Sequence, residues 1–157
     1  MSERAEALAR QFEAVNDDAI ATVEKLNDEQ WRRTTGEGWT VAACAHHASS
    51  SHEGIQQWVG ALASGVAVPP ASLDDFHEPN AKHAKEYADC PKTVVLDELR
   101  TKGPAAAAFL RTLSDEQLDR QVDVLRGMPR WRIQDVVERI LIGHAVEHIG
   151  SVKAATA

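Results

Sequence analysis

The stretch Ile133-Gln134-Asp135-Val136-Val137-Glu138-Arg139-Ile140-Leu141-Ile142-Gly143-His144-Ala145-Val146-Glu147-His148 has the apolar spacing of one helix face and carries two histidines four residues apart. Taking about 100° per residue from Ile133, Val137 lies at about 40° and Ile140 at about 340°, and these three mark the inward face. On the same wheel His144 falls at about 20° and His148 at about 60°, where the core is expected. Residues four apart stack on one face with Cβ atoms about 5–6 Å apart, so both imidazoles can reach one metal ion. Two imidazoles buried side by side need polar partners, because each unsatisfied group costs about 1–3 kcal/mol. A shared metal is one solution, and hydrogen bonds to neighbouring side chains are the other.

Outward from this segment the chain keeps reading as helix. Alanine is abundant and aromatic residues make up only 5% of the chain, which favours helix over sheet. Leu8, Phe12, Val15, Ala19, Val23 and Leu26 recur at steps of three and four, predicting a helix from about Glu3 to Leu26. Gly36 and Gly38 break it. A second helix is expected from about Thr40 to Ala63, ended by Gly65 and the Pro69-Pro70 pair. Ala67 to Asp75 reads as a surface connection and Glu78 to Tyr87 as a short helix. Pro91 suits the first position of the next helix, which carries Val95, Leu99 and Leu110 and has a kink or break at Gly103-Pro104. After a loop with Gly127 and Pro129, the last helix is expected from Arg132 to Ala155. The sum is an all-α, four-helix bundle over residues 1–157, with one long crossover connection and a short extra helix, in a single domain.

A weak internal echo runs through this order. Leu26-Asn-Asp-Glu-Gln-Trp-Arg-Arg33 precedes Trp39-Thr-Val, and Leu113-Ser-Asp-Glu-Gln-Leu-Asp-Arg120 precedes Trp131-Arg-Ile. Each copy leads into a helix that carries histidine. Two related halves and a chance repeat of a common helix-start pattern both explain it.

The bulk numbers narrow the function classes. The chain has 157 residues and a formal net charge of −7, which disfavours nucleic acid and anionic membranes as partners. No apolar run approaches the roughly 18 residues of a membrane span, and the start of the chain lacks a signal-peptide pattern. Cys44 and Cys90 form no metal or redox pair and fit a reducing cytoplasm.

The second helix offers further histidines. From Val41 as origin, Cys44, Ala48, Ile55, Val59 and Leu62 gather between about 300° and about 40°. His46 falls at about 140°, on the side expected to face solvent. His47 falls at about 240°, flanking the stripe beside Ser51 and Trp58. His52 falls at about 20°, within the stripe. Spacing leaves both His47 and His52 open as a third metal ligand. His77 and His83 read most simply as surface residues. Glu147, at about 320° on the wheel of the last helix, can touch the site. Three imidazoles leave coordination positions open, which suits catalysis or ligand binding better than a closed structural site. Such a donor set takes zinc, nickel, iron or copper rather than calcium or magnesium.

Two segments resemble the DinB-like superfamily of metal-binding four-helix bundles. Gly38-Trp39-Thr-Val-Ala-Ala-Cys-Ala-His-His47-Ala resembles its tryptophan lead-in to a histidine eight residues later, and His144-Ala-Val-Glu-His148-Ile-Gly150-Ser-Val resembles its terminal His-x-x-x-His-x-Gly-Gln-Ile. Ser151 departs from that pattern, where glutamine is common. The likeness extends to chain length, helix order and the placing of both motifs. It implies that His47, with His144 and His148, holds one divalent transition metal, zinc or nickel foremost and iron next. His52, Trp58 and Glu147 are left as pocket candidates. It also implies a metal-dependent thiol S-transferase, in which a low-molecular-weight thiol of the bacillithiol or mycothiol type is added to an electrophile. The alternative is a non-catalytic ligand-binding or stress-response module. An isomerase of this group usually carries a further domain, and a metallopeptidase of the His-x-x-Glu-His type needs another ligand downstream, so both rank lower. A cytoplasmic homodimer is expected.

Overall fold

The computed structural model describes residues 2–157. Helix α1 spans Glu3–Lys25, and Ser2 caps it by accepting from the Ala5 amide at 3.1 Å. A short helix α2, Asp28–Trp31, leads to α3, Val41–Ala63, capped by the Thr40 hydroxyl on the Ala43 amide. Then come α4, Asp74–Glu86, and α5, Lys92–Arg111. The short α6, Asp115–Asp119, precedes a two-stranded antiparallel ribbon, β1 Gln121–Val122 and β2 Trp131–Arg132. The last long helical stretch is α7 Ile133–Val136, a π-helical turn Val137–Ile142, and α8 Gly143–Thr156. The long helices form a four-helix bundle in which α1 packs on α5, and α3 packs on α5 and on α8. No described helix is long and apolar enough to cross a membrane.

The core has two apolar clusters. One gathers Phe12, Val59, Leu110, Leu118, Ile133 and Leu141; the other gathers Val23, Trp31, Val41, Leu99, Ile149 and Val152. Along each helix the boundary between them is polar or small. Asn16 follows Phe12 on α1, His52 follows Ala48 on α3, Gly103 follows Leu99 on α5, and His144 follows Leu141 after the π turn. The amide of Asn16 donates to the Leu99 carbonyl at 3.0 Å and fills the notch above Gly103, where a Cβ would overlap Nδ2.

Several elements differ from the expectations above. The helix α5 runs through Gly103-Pro104 without a break. Helix α4 begins four residues before Glu78, at Asp74, where the Asp75 carboxylate accepts from the Ser72 amide at 2.8 Å. The loop with Gly127 and Pro129 is the tip of the β ribbon. The π turn is invisible to a wheel of uniform pitch. The Gly143 amide donates to the Glu138 carbonyl five residues back, so one extra residue is taken into that turn. Downstream residues therefore sit about 100° behind their positions on an uninterrupted α-helical wheel. With that correction Ala145, Ile149 and Val152 lie at about 20°, about 60° and about 0°, in line with Ile133, and all three are buried. His144 and His148 move to about 280° and about 320°, the flank of the stripe rather than its centre.

The internal echo has a structural counterpart. Asn27 with Gln30 and Ser114 with Gln117 each form a reciprocal capping box at the start of a short helix. The chain then doubles back so that the Val41 amide donates to Arg33 O at 2.8 Å, and the Ile133 amide donates to Arg120 O at 3.0 Å. These two bonds join equivalent positions of the two repeats, immediately before the two histidine-bearing helices.

Candidate metal centre

His47 on α3 and His144 and His148 on α8 converge across the packed face of these two helices. One donor atom from each lies within 4.8 Å of the other two. The Nε2 atoms of His47 and His144 are 3.0 Å apart. Two nitrogens held about 2.0–2.1 Å from one tetrahedral zinc stand about 3.3 Å apart, so the rings already sit near the spacing a shared ion requires. The ring centroids of His47–His148 and His144–His148 are 4.7 and 4.4 Å apart. Burial keeps the set neutral: it pushes His47 down to about 4 and His144 down to about 3. It also lowers His148, against the opposing pull of Glu147 and Glu37. Neutral imidazole is the form that ligates a metal.

The surroundings are asymmetric. Trp39 walls the site, edge-on to His47 at 5.3 Å and stacked over His148 at 6.0 Å. In the sequence this tryptophan reads only as a lead-in to the histidine, and its eight-residue spacing is the signal available. On the far side of His148, Cys44 Sγ lies 3.8 Å from Nδ1 and donates to the His148 carbonyl at 3.4 Å. A Glu37 oxygen completes a second close group with Cys44 and His148, and the Ser151 hydroxyl donates to Glu37 at 2.6 Å. Burial pushes the Cys44 thiol up to about 12, so without a metal beside it the thiol stays protonated near neutrality. Glu37 has no signal in the sequence, because it is the turn Gly36–Gly38 that brings it back over α8.

The other histidines separate clearly. His52 is 2% exposed, lies edge-on to Phe12 at 5.0 Å, and has no partner among the described residues at either ring nitrogen. It stands in the polar boundary of the core and not among the three converging rings. His46, expected to face solvent, is 5% exposed. Helix α4 covers it: Tyr87 stacks on it at 3.8 Å, and His83 Nε2 lies 2.8 Å from its Nδ1. His83 accordingly faces inward, with its ring 5.1 Å from His47, whereas His77 is exposed. Trp58 packs against the first apolar cluster. Glu147 is exposed, and its charge reaches His148 without a direct bond among the described contacts. Cys90 is 7% exposed and its carbonyl takes the Trp31 indole N–H at 2.8 Å.

A four-helix bundle that gathers three neutral histidines from two helices defines a class of mononuclear metal-site scaffold. The DinB superfamily model matches residues 11–152, and the chain belongs to that superfamily. Among solved structures it is similar to YfiT from Bacillus subtilis, at 19% identity and a TM-score of 0.77, covering 99% of this chain and 87% of that one. YfiT is described as a probable metal-dependent hydrolase with an unusual four-helix bundle topology. No curated protein matches the chain.

Proposed function

We propose that the chain binds one divalent transition metal through His47, His144 and His148 and is a metal-dependent thiol S-transferase. The carrying observation is the convergence of three partly buried, neutral imidazoles, with no thiolate beside them among the described residues. A divalent metal held there favours the anionic, nucleophilic form of a small molecule bound in its open positions. The attacking group therefore comes from outside the chain. A low-molecular-weight thiol of the bacillithiol or mycothiol type fits that need, with an electrophile as acceptor. Around it, Trp39 supplies an apolar wall, and the Glu37–Ser151 pair holds negative charge beside His148. Water serves as the nucleophile in a second reading of the same arrangement, and the description given to YfiT favours that hydrolytic alternative.

The experiment is elemental analysis of protein purified without an affinity tag, followed by conjugation assays with bacillithiol, mycothiol and glutathione over a panel of electrophiles. About one metal per chain is expected, lost in His47→Ala, His144→Ala and His148→Ala. Metal that survives all three substitutions would exclude the centre. Hydrolysis without conjugation would select the second reading, and ligand affinity without turnover would make the protein a binding module.

A further inference from the structure

We propose that His83, carried by α4, is a ligand-binding residue of the three-histidine centre, and that its Nδ1 is a fixed hydrogen-bond acceptor for a donor group on the bound molecule. This rests on the centre being a metal site. It adds a residue, and a chemical requirement on the ligand, to that site.

The inference begins with Glu98 on α5. Its Oε2 accepts from the Ser49 hydroxyl at 2.9 Å, and its Oε1 lies 3.5 Å from Lys102 Nζ and 3.7 Å from His46 Nε2. A carboxylate facing Nε2 favours the proton of a neutral His46 on that nitrogen, which leaves Nδ1 with the lone pair. That Nδ1 is 2.8 Å from His83 Nε2. Only one proton can lie between two neutral rings in such a contact, and it then belongs to His83. His83 donates through Nε2, so its Nδ1 is a bare acceptor. This atom is buried and has no partner among the described residues.

Packing gives the same ring a reason to be where it is. Helix α4 has no buried residue of its own, and Tyr87 at its end packs against the second apolar cluster. His83 and the adjoining Tyr87 make its aromatic contacts with α3. The His83 ring stands 5.1 Å from His47 and 4.7 Å from Tyr87, which in turn stacks on His46. Glu98 and His46 are positioning residues in this scheme, because they act only through the tautomer they impose. The ligand class follows: a small polar molecule that presents an O–H, N–H or S–H beside the atom it gives to the metal. An anion without a donor gains nothing from His83.

The test uses the full chain loaded with Co2+, whose visible absorption reports ligands entering open positions. Acetohydroxamate, a chelator with an N–H, and thiocyanate, which has no donor, are the probes. His83→Phe keeps the ring packing. It is expected to retain one cobalt per chain, to weaken acetohydroxamate about tenfold, the size of one hydrogen bond, and to leave thiocyanate within about twofold. Nitrogen-15 NMR of the imidazoles is expected to show His83 protonated on Nε2 in the wild type and mixed between nitrogens in Glu98→Ala. A His83 protonated on Nδ1, or equal effects on both probes, would overturn the proposal while leaving the metal centre standing. Wild-type protein that takes up no cobalt would overturn the metal reading itself.

Discussion

At the scale of single residues, His52 is a buried imidazole that stands apart from the metal centre. Both its nitrogens are buried without partners, and burial pushes it down to about 4. The unfolded chain protonates this residue first, near its ordinary value of about 6.5. Its stability contribution is therefore whole above about pH 6.5 and declines as the pH falls towards about 4, by about 1.4 kcal/mol per pH unit. His52→Leu is expected to flatten that part of the acid limb, to hold or raise stability at pH 7, and to leave metal content unchanged. Urea unfolding at pH 7, 6 and 5 checks this, and an unaltered slope would show that His52 is not the group responsible. The wheel of α3 alone puts His52 within the apolar stripe, and burial there is what the structure shows. The same wheel fails for His46, because a wheel records only a residue's own helix. What covers His46 is α4, and nothing in residues 67–75 indicates that the connection returns α4 across this face.

At the scale of elements, two helices show how local chemistry sets the register of the site. In α5, Gly103 is required by the close approach of Asn16 from α1, and a Cβ there would overlap the whole Asn16 amide. Gly103→Ala is expected to destabilise the fold by about 1–3 kcal/mol, the usual cost of overpacking. Chemical denaturation measures it, and an unchanged midpoint would mean that α1 and α5 separate freely at this level. In the last helical stretch, the existence of the helix and the pairing of His144 with His148 are legible from four-residue spacing. The face they occupy is not. A uniform step of about 100° places them in the centre of the core, whereas the π turn moves them to its flank and gives the centre to Ala145, Ile149 and Val152. A π turn depends on one added residue being absorbed into the hydrogen-bond ladder, and the Val137–Ile142 sequence carries no breaker to announce it. The capping boxes at Asn27 and Ser114 are the opposite case: a polar cap followed three residues later by glutamine is a local rule, and it holds twice.

Over the whole molecule, the repeated capping-box turns divide the bundle into two halves of like order, each a long helix, a short helix, a doubling back and a histidine-bearing helix. His47 comes from the first half, and His144 and His148 come from the second. A metal held at their meeting point, as proposed, would join the halves beside the polar boundary that splits the core. This central claim is tested most directly by anomalous diffraction from crystals of the zinc-loaded protein, recorded on both sides of the zinc absorption edge. The account predicts a single strong peak within about 2.0–2.1 Å of one nitrogen each of His47, His144 and His148. A peak seated instead between Glu37, Cys44 and His148, or no peak at stoichiometric zinc, would contradict it.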